Sequence, residues 1–139
     1  MTTIRADQIL LPKPYYQDDY CTLYHGDCRK LVPQLPRGFT ATDVPYNQRM
    51  RYDNCTDDLP LDEYYKMLRI TCPTPCVLIH YPEPMFDIAM QVFGRRPEEV
   101  MTWVYPSNTP RQFRLACWWG IKPDFRRARQ PYRNGFTLP

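Results

Sequence analysis

Residues 43–46, Asp43-Val44-Pro45-Tyr46, combine residue types and a position that suggest a site for chemistry. They follow directly on Phe39-Thr40-Ala41-Thr42, a short β-branched and aromatic segment that, with Asp43, predicts a strand. Ligands of open parallel sheets bind at the carboxyl ends of the strands. The carboxylate of Asp43 and the ring of Tyr46 are therefore candidate ligand contacts.

The segment between Arg111 and Arg133 is a second candidate, because seven lysines and arginines there stand against a single acidic residue, Asp124. Aromatic residues lie between them. This combination is typical of a nucleic-acid surface, although it suits an acidic protein partner equally well. A solvated basic face is the alternative without function. The basic residues are Arg111, Arg114, Lys122, Arg126, Arg127, Arg129 and Arg133.

Cys72 and Cys76 are spaced closely enough to suggest a metal site, with Cys55 and His80 as further ligands. A zinc site normally requires a second pair of ligands at a suitable spacing. Cys76 also begins an apolar segment, where a thiol is typically a small core residue. The sequence therefore favours core thiols and no metal. His80 and His25 are expected to be structural histidines at strand ends.

Two other groups of residues have a functional and a structural interpretation. Asp53, Asp57 and Asp58 could hold a cation, but their spacing favours a solvated acidic turn. Trp118-Trp119 indicates either a core anchor or an exposed binding contact. We expect at least one of the two rings in the core.

The elements that would position these residues alternate between strand and helix along the chain. Sixteen prolines exclude long uninterrupted helices. The alternation predicts a single α/β domain over residues 1–139 with a largely parallel sheet. The predicted elements are strand 20–25, helix 28–35, strand 39–43, helix 61–70, strand 76–81, helix 84–93, strand 100–105 and helix 111–119.

Residues 43–46 resemble the Asp-Pro-Pro-Tyr signature of the DNA amino-methyltransferases, which methylate adenine N6 or cytosine N4. The lead-in Leu23-Tyr24-His25-Gly26-Asp27-Cys28 is similar to the approach to that motif in the same family. Segments 107–114 and 122–125 resemble phage and prophage members, and the similarity covers residues 10–135. It implies a partial Rossmann-type methyltransferase sheet with helices on its faces.

The resemblance also implies a role for each motif residue. In the family, the aspartate and the next backbone carbonyl accept hydrogen bonds from the exocyclic amine, and the aromatic residue stacks on a flipped base. Carried over, Asp43 is the acceptor, Val44 supplies the carbonyl and Tyr46 is the stacking platform, with Pro45 between them. Val44 stands where the family has proline, so the rigid turn of consecutive prolines is absent.

The family also uses a Phe-x-Gly-x-Gly type loop against the methionine moiety of S-adenosylmethionine. The five glycines of this sequence are all isolated. We therefore expect a truncated methyltransferase-like domain without a cofactor. If the chain is catalytic, S-adenosylmethionine is the cofactor that the resemblance implies.

Three functions follow from this sequence. The favoured one is a non-catalytic phage protein that binds DNA, or a host defence protein or nucleoprotein complex, and inhibits it, as an anti-CRISPR or anti-restriction protein does. The second is an amino-methyltransferase subunit that is active only with a partner supplying the cofactor loop. The third is a simple DNA-binding protein that uses the basic segment.

The expected compartment is the cytoplasm, and no membrane partner is expected. No apolar run reaches the roughly eighteen residues of a membrane span. The first residues do not form an export signal. The cysteines are accordingly expected to be thiols.

Overall fold

The computed structural model describes residues 11–53, 56–104 and 113–126. A 3₁₀ turn over Val32–Gln34 follows the first helix. The strands and helices are β1 (Tyr16–Gln17), β2 (Thr22–Leu23), α1 (Cys28–Leu31), β3 (Thr40–Asp43), β4 (Met50–Arg51), β5 (Thr56–Asp57), α2 (Leu61–Thr71), β6 (Cys76–His80), α3 (Pro82–Gln91), β7 (Glu99–Val104) and β8 (Phe113–Trp119).

The main sheet has four strands in the order β3-β6-β8-β7. β3 and β6 are parallel, whereas β8 runs antiparallel to both β6 and β7. The prediction of a largely parallel sheet is therefore wrong. The physical reason is the short connection between β7 and β8. Val104 and Phe113 pair directly, and fewer residues join them than the dozen or so that a parallel crossover needs, so the two strands are antiparallel.

The predicted helix over 111–119 is also wrong, because residues 113–119 form the strand β8. β8 lies between two neighbours, so its backbone groups are used by the β6 and β7 ladders. Successive strand residues point to opposite faces, and the two tryptophans separate accordingly: Trp119 is fully buried and Trp118 is half-buried. Residues 111 and 112 lie outside the described part of the chain.

Several other predictions hold within a residue or two. β3, α2, β6, α3 and β7 lie where the sequence pattern predicts them. The predicted strand 20–25 is much shorter: only β2 forms, and it pairs with β1 in a separate hairpin. The predicted helix 28–35 is a single turn followed by the 3₁₀ turn, because Pro33 cannot continue an α-helix.

The core lies between one face of the sheet and the helices α2 and α3. α2 carries two acidic residues in its first turn and Arg69 in its last turn, charges that complement the helix dipole. It buries Tyr64 and Leu68, which lie one turn apart. Leu78 and Trp119 meet these helices from the sheet, and Phe93 stacks on Trp119 with ring centroids 4.0 Å apart.

The other face of the sheet is less covered. Along β6, Cys76, Leu78 and His80 are buried, while Val77 and Ile79 are only partly buried. A continuous apolar segment is typical of a strand that is buried on both faces, and in β6 only one face is fully buried. A Rossmann-type arrangement stays a prediction. Among the described residues, no helix combines the length and apolar composition that a membrane crossing requires.

Candidate functional site

β3 carries Asp43 to the end of the parallel strand pair, and the next three residues turn across that end. Val44 is 6% exposed and packs in the core, so its side chain fixes the turn to the hydrophobic core. Asp43 and Pro45 are exposed. The hydroxyl of Tyr46 donates a hydrogen bond to Oδ1 of Asp43 over 2.6 Å. The predicted motif residues therefore form one compact cluster at the strand end.

The ring of Tyr46 is surrounded by aromatic and cationic groups. Tyr81 lies against it with ring centroids 4.7 Å apart, and His80 meets it edge-on at 5.1 Å. The guanidinium carbon of Arg114 is 5.0 Å from the Tyr46 centroid and 3.7 Å from that of Tyr81. Arg114 also donates from Nη2 to the Tyr81 hydroxyl over 2.8 Å. We call Asp43, Tyr46, Tyr81 and Arg114 the motif cluster.

The sheet register explains why these four residues meet. β3 and β6 are parallel, so their carboxyl ends share one edge, and Tyr81 follows directly on β6. β8 runs antiparallel to β6 with Leu115 opposite His80. Arg114, one residue earlier on β8, therefore arrives at the same edge.

A buried hydrogen-bonded pair supports the cluster from the core side. The Tyr64 hydroxyl donates to the backbone carbonyl of Pro45 over 2.7 Å and lies 3.0 Å from Nε2 of His80. The Pro45 carbonyl can only accept, so the single hydroxyl hydrogen of Tyr64 goes to it and His80 donates from Nε2. A neutral ring has one N–H, so Nδ1 then has no hydrogen for the longer, 3.3 Å contact with the Tyr81 carbonyl. His80 is fully buried, and burial lowers its pKa to about 4, so the ring is neutral near pH 7.

Tyr46 is likewise a neutral donor. Burial, and then the hydrogen bond to Asp43, raise the pKa of Tyr46 to about 12, against the opposing effect of Arg114. The motif cluster thus brings together a carboxylate, a phenol hydroxyl, a second aromatic ring and a guanidinium at the sheet edge where β3 and β6 end. These groups can accept a hydrogen bond from an amine, stack on a planar ring and contact an anion.

Hydrogen bonds between residues 47–48 and residues 57–59 position the turn that follows the motif. The side chain of Asn47 accepts from Leu59 N over 2.7 Å and donates to Leu59 O over 2.9 Å. Asn47 itself has φ of 55°, a left-handed conformation that asparagine tolerates well. Asp57, 7% exposed, accepts from Gln48 N over 3.1 Å. The turn is therefore folded back on the residues that precede α2.

The predicted solvated acidic turn of Asp53, Asp57 and Asp58 is exposed only in part, because Asp57 is buried. Asp57 has a structural role, Asp58 forms an exposed ion pair with Arg49, and Asp53 is exposed. No group of His, Cys, Asp and Glu that could hold a metal ion occurs within 11–53, 56–104 and 113–126. Burial raises the pKa of Cys72 to about 11 and of Cys76 to about 12. Cys55 lies outside the described residues.

Three of the predicted basic residues lie in the described part of the chain, and two of them, Lys122 and Arg126, line one shallow pocket. Arg114 belongs to the motif cluster, Lys122 pairs with Glu99 at 3.6 Å, and Arg126 pairs with Asp124 at 2.9 Å. The predicted contacts Arg111, Arg127, Arg129 and Arg133 lie outside the described residues.

Sequence reasoning missed Tyr64 and Tyr81 as parts of the site and assigned Arg114 to the basic segment only. A signal for Tyr81 was available, because it follows the strand next to β3 just as Val44 follows β3 itself. For Tyr64 and Arg114 the signal lies in the three-dimensional register. His80 is buried and hydrogen-bonded, as expected of a structural histidine.

The fold and the site define the class of this chain as a mixed α/β protein with a carboxylate, aromatic and guanidinium cluster at the end of a parallel strand pair. The chain is similar to the type II methyltransferase M.BamHI of Bacillus amyloliquefaciens, with 30% identity over 104 residues, which cover 66% of this chain and 24% of that protein. No protein-family model matches the chain, and no solved structure does. The similarity supports a distant methyltransferase-like relationship.

Proposed function

We propose that this chain is a methyltransferase-like protein that binds nucleic acid at the motif cluster and does not transfer a methyl group by itself. The observation that carries the proposal is the position of Arg114 against Tyr46 and Tyr81, 5.0 Å and 3.7 Å from their centroids, beside the exposed carboxylate of Asp43.

The chemistry of the cluster suits an unpaired base that carries an exocyclic amine. The Asp43 carboxylate accepts N–H donors, and the tyrosine rings offer π surfaces for stacking, which contributes about 1–3 kcal/mol per base. The guanidinium of Arg114 can stack on a base or pair with a phosphate. Adenine and cytosine are therefore favoured over thymine, which has no exocyclic amine.

Binding without methyl transfer is supported by two features. Tyr46 already donates to the carboxylate that would orient a substrate amine. The residues of this chain also do not fit the cofactor loop that the family resemblance implies, because none of its five glycines lies in a Gly-x-Gly arrangement.

Fluorescence anisotropy with labelled DNA tests the proposal. A single strand or a duplex with an unpaired adenine should bind more tightly than the same duplex with an unpaired thymine. The variant R114K keeps the charge but loses the planar group, so it should weaken binding about tenfold. R29K, on α1, is the matched control and should leave the affinity unchanged. Equal losses in both variants would contradict the assignment.

A second candidate function is a methyltransferase subunit that needs a partner chain for its cofactor loop. The similarity to M.BamHI and the exposed position of Asp43 at the strand end favour it. Calorimetric titration with S-adenosylmethionine and a methylation assay distinguish the two functions. Our proposal expects neither binding at ~1 mM ligand nor methyl transfer. An active complex whose activity is lost in D43A would establish the second function instead. Phage origin and inhibition of a host defence complex stay predictions.

A further inference from the structure

A groove of about 1020 Å³ lies at the beginning of β3, at the other end of that strand from the motif cluster. Thr40 and Ala41 form part of its wall, and apolar side chains line much of the rest. Two of them are exposed: Phe39 is 52% exposed and Leu35 is 37% exposed. Its volume is within the usual range of protein binding sites.

The wall formed by β3 is a free strand edge within the described sheet, where β3 pairs with β6 alone. The backbone N–H of Thr40 donates to Pro75 O over 3.0 Å and so faces β6. Because backbone groups alternate along a strand, the N–H and C=O of Ala41 face away from β6. Ala41 is exposed within the described part of the chain.

The charged side chains in the described lining of the groove are all positive. Arg37, Arg69 and Arg95 line the groove, and no Asp or Glu of the described residues does. Arg69 donates from Nε and Nη2 to the backbone carbonyl of Gln91, and no carboxylate within residues 11–53, 56–104 and 113–126 forms an ion pair with it. Arg95 pairs with Glu98 at 2.9 Å, and both side chains are partly exposed. The electrostatic complement of this lining is an acidic ligand.

We infer that this groove binds an extended acidic segment of a partner protein, which pairs with the outer edge of β3 and places alternate apolar side chains against Leu35 and Phe39. Main-chain hydrogen bonds to Ala41 supply affinity, as in other cases of strand addition, and the side-chain contacts supply specificity. Arg37 and Arg69 select acidic residues at the intervening positions. The inference does not depend on nucleic-acid binding at the motif cluster.

The test uses the full chain and short synthetic peptides in which Glu alternates with Val, Leu or Phe. Backbone amide signals are followed by NMR during titration. We expect a dissociation constant below ~100 µM, with slowed hydrogen exchange at the Ala41 amide. R37E should weaken binding at least tenfold, while R51E, an exposed arginine on β4, should not.

Two altered peptide sets separate strand pairing from simple charge attraction. Peptides with lysine in place of glutamate should bind at least tenfold more weakly. Peptides N-methylated on alternate amides keep their side chains but cannot pair with a strand, so they should bind at least tenfold more weakly too. Equal binding of the methylated set, equal effects of R37E and R51E, or no binding at all would overturn the inference. Self-association of the chain that protects the same amide would also overturn it, because the occupant would then be a second copy.

Discussion

Tyr64 donates its hydroxyl hydrogen to the backbone carbonyl of Pro45 over 2.7 Å, so the helix α2 holds the turn that carries the motif cluster. The same oxygen lies 3.0 Å from Nε2 of His80. A chain of buried polar groups therefore connects β6, α2 and the turn after β3. The turn geometry is therefore held by Tyr64 from the core side, together with the hydrogen bonds between Asn47 and Leu59.

The variant Y64F should destabilise the fold by about 1–3 kcal/mol, because it leaves the Pro45 carbonyl and the His80 donor without their shared partner. Urea denaturation measures this loss. Y65F removes the same atom from the next residue of α2, which is only partly buried, and should change the free energy of unfolding by less than ~0.5 kcal/mol. Equal effects in the two variants would mean that the hydrogen bond contributes nothing specific.

Stability should fall as the pH is lowered from about 6.5 to about 4. Burial lowers the pKa of His80 to about 4, below its ordinary value of 6.5, so within this window the unfolded chain binds a proton that the folded chain does not. The stabilisation is complete above the window and decreases through it by up to roughly 3 kcal/mol.

Urea titrations at several pH values test this, with H80Q as the variant that should flatten the dependence. H25Q removes a histidine from the exposed end of the hairpin and serves as the control. The Arg29 side chain and backbone N–H lower the pKa of Asp27 to about 2. Titration of Asp27 therefore changes the free energy of unfolding only at a pH below the His80 window. A pH dependence that H80Q leaves intact would contradict the assignment.

Local sequence patterns predict much of this fold but not its strand directions. α2 is predictable because its apolar spacing and acidic first turn agree. β8 is not, since Phe113 to Trp119 carries no helix-breaking residue and its strand conformation depends on β6 and β7 at either side. Sheet order arises from such long-range pairing, which periodicity does not encode.

The candidate site was predictable only in its continuous part. Asp43 to Tyr46 are adjacent in sequence and are found through the motif. Arg114 reaches Tyr46 only because residues 113–119 form a strand antiparallel to β6, where the sequence pattern predicts a helix. The wrong element type therefore hid one residue of the cluster.

Gly120 to Ala should destabilise the chain by about 1–3 kcal/mol. Gly120 has φ of 77°, and a Cβ there would lie 3.2 Å from Pro75 Cα and from Thr74 Cβ. Gly38 to Ala is the matched control, because a Cβ at that position meets nothing within 4 Å. Thermal unfolding of both variants measures the difference, and a G38A loss as large as that of G120A would refute the steric argument.

Two substitutions at Tyr46 separate the role of its ring from that of its hydroxyl. Y46F removes the donor to Asp43 but keeps the stacking surface, so DNA affinity should change less than about threefold. Y46A removes the ring, and affinity should fall at least tenfold, in line with about 1–3 kcal/mol for base stacking. Anisotropy with the adenine-containing strand measures both. If Y46F loses as much affinity as Y46A, the hydroxyl and not the ring is the contact, and the stacking role of Tyr46 is wrong.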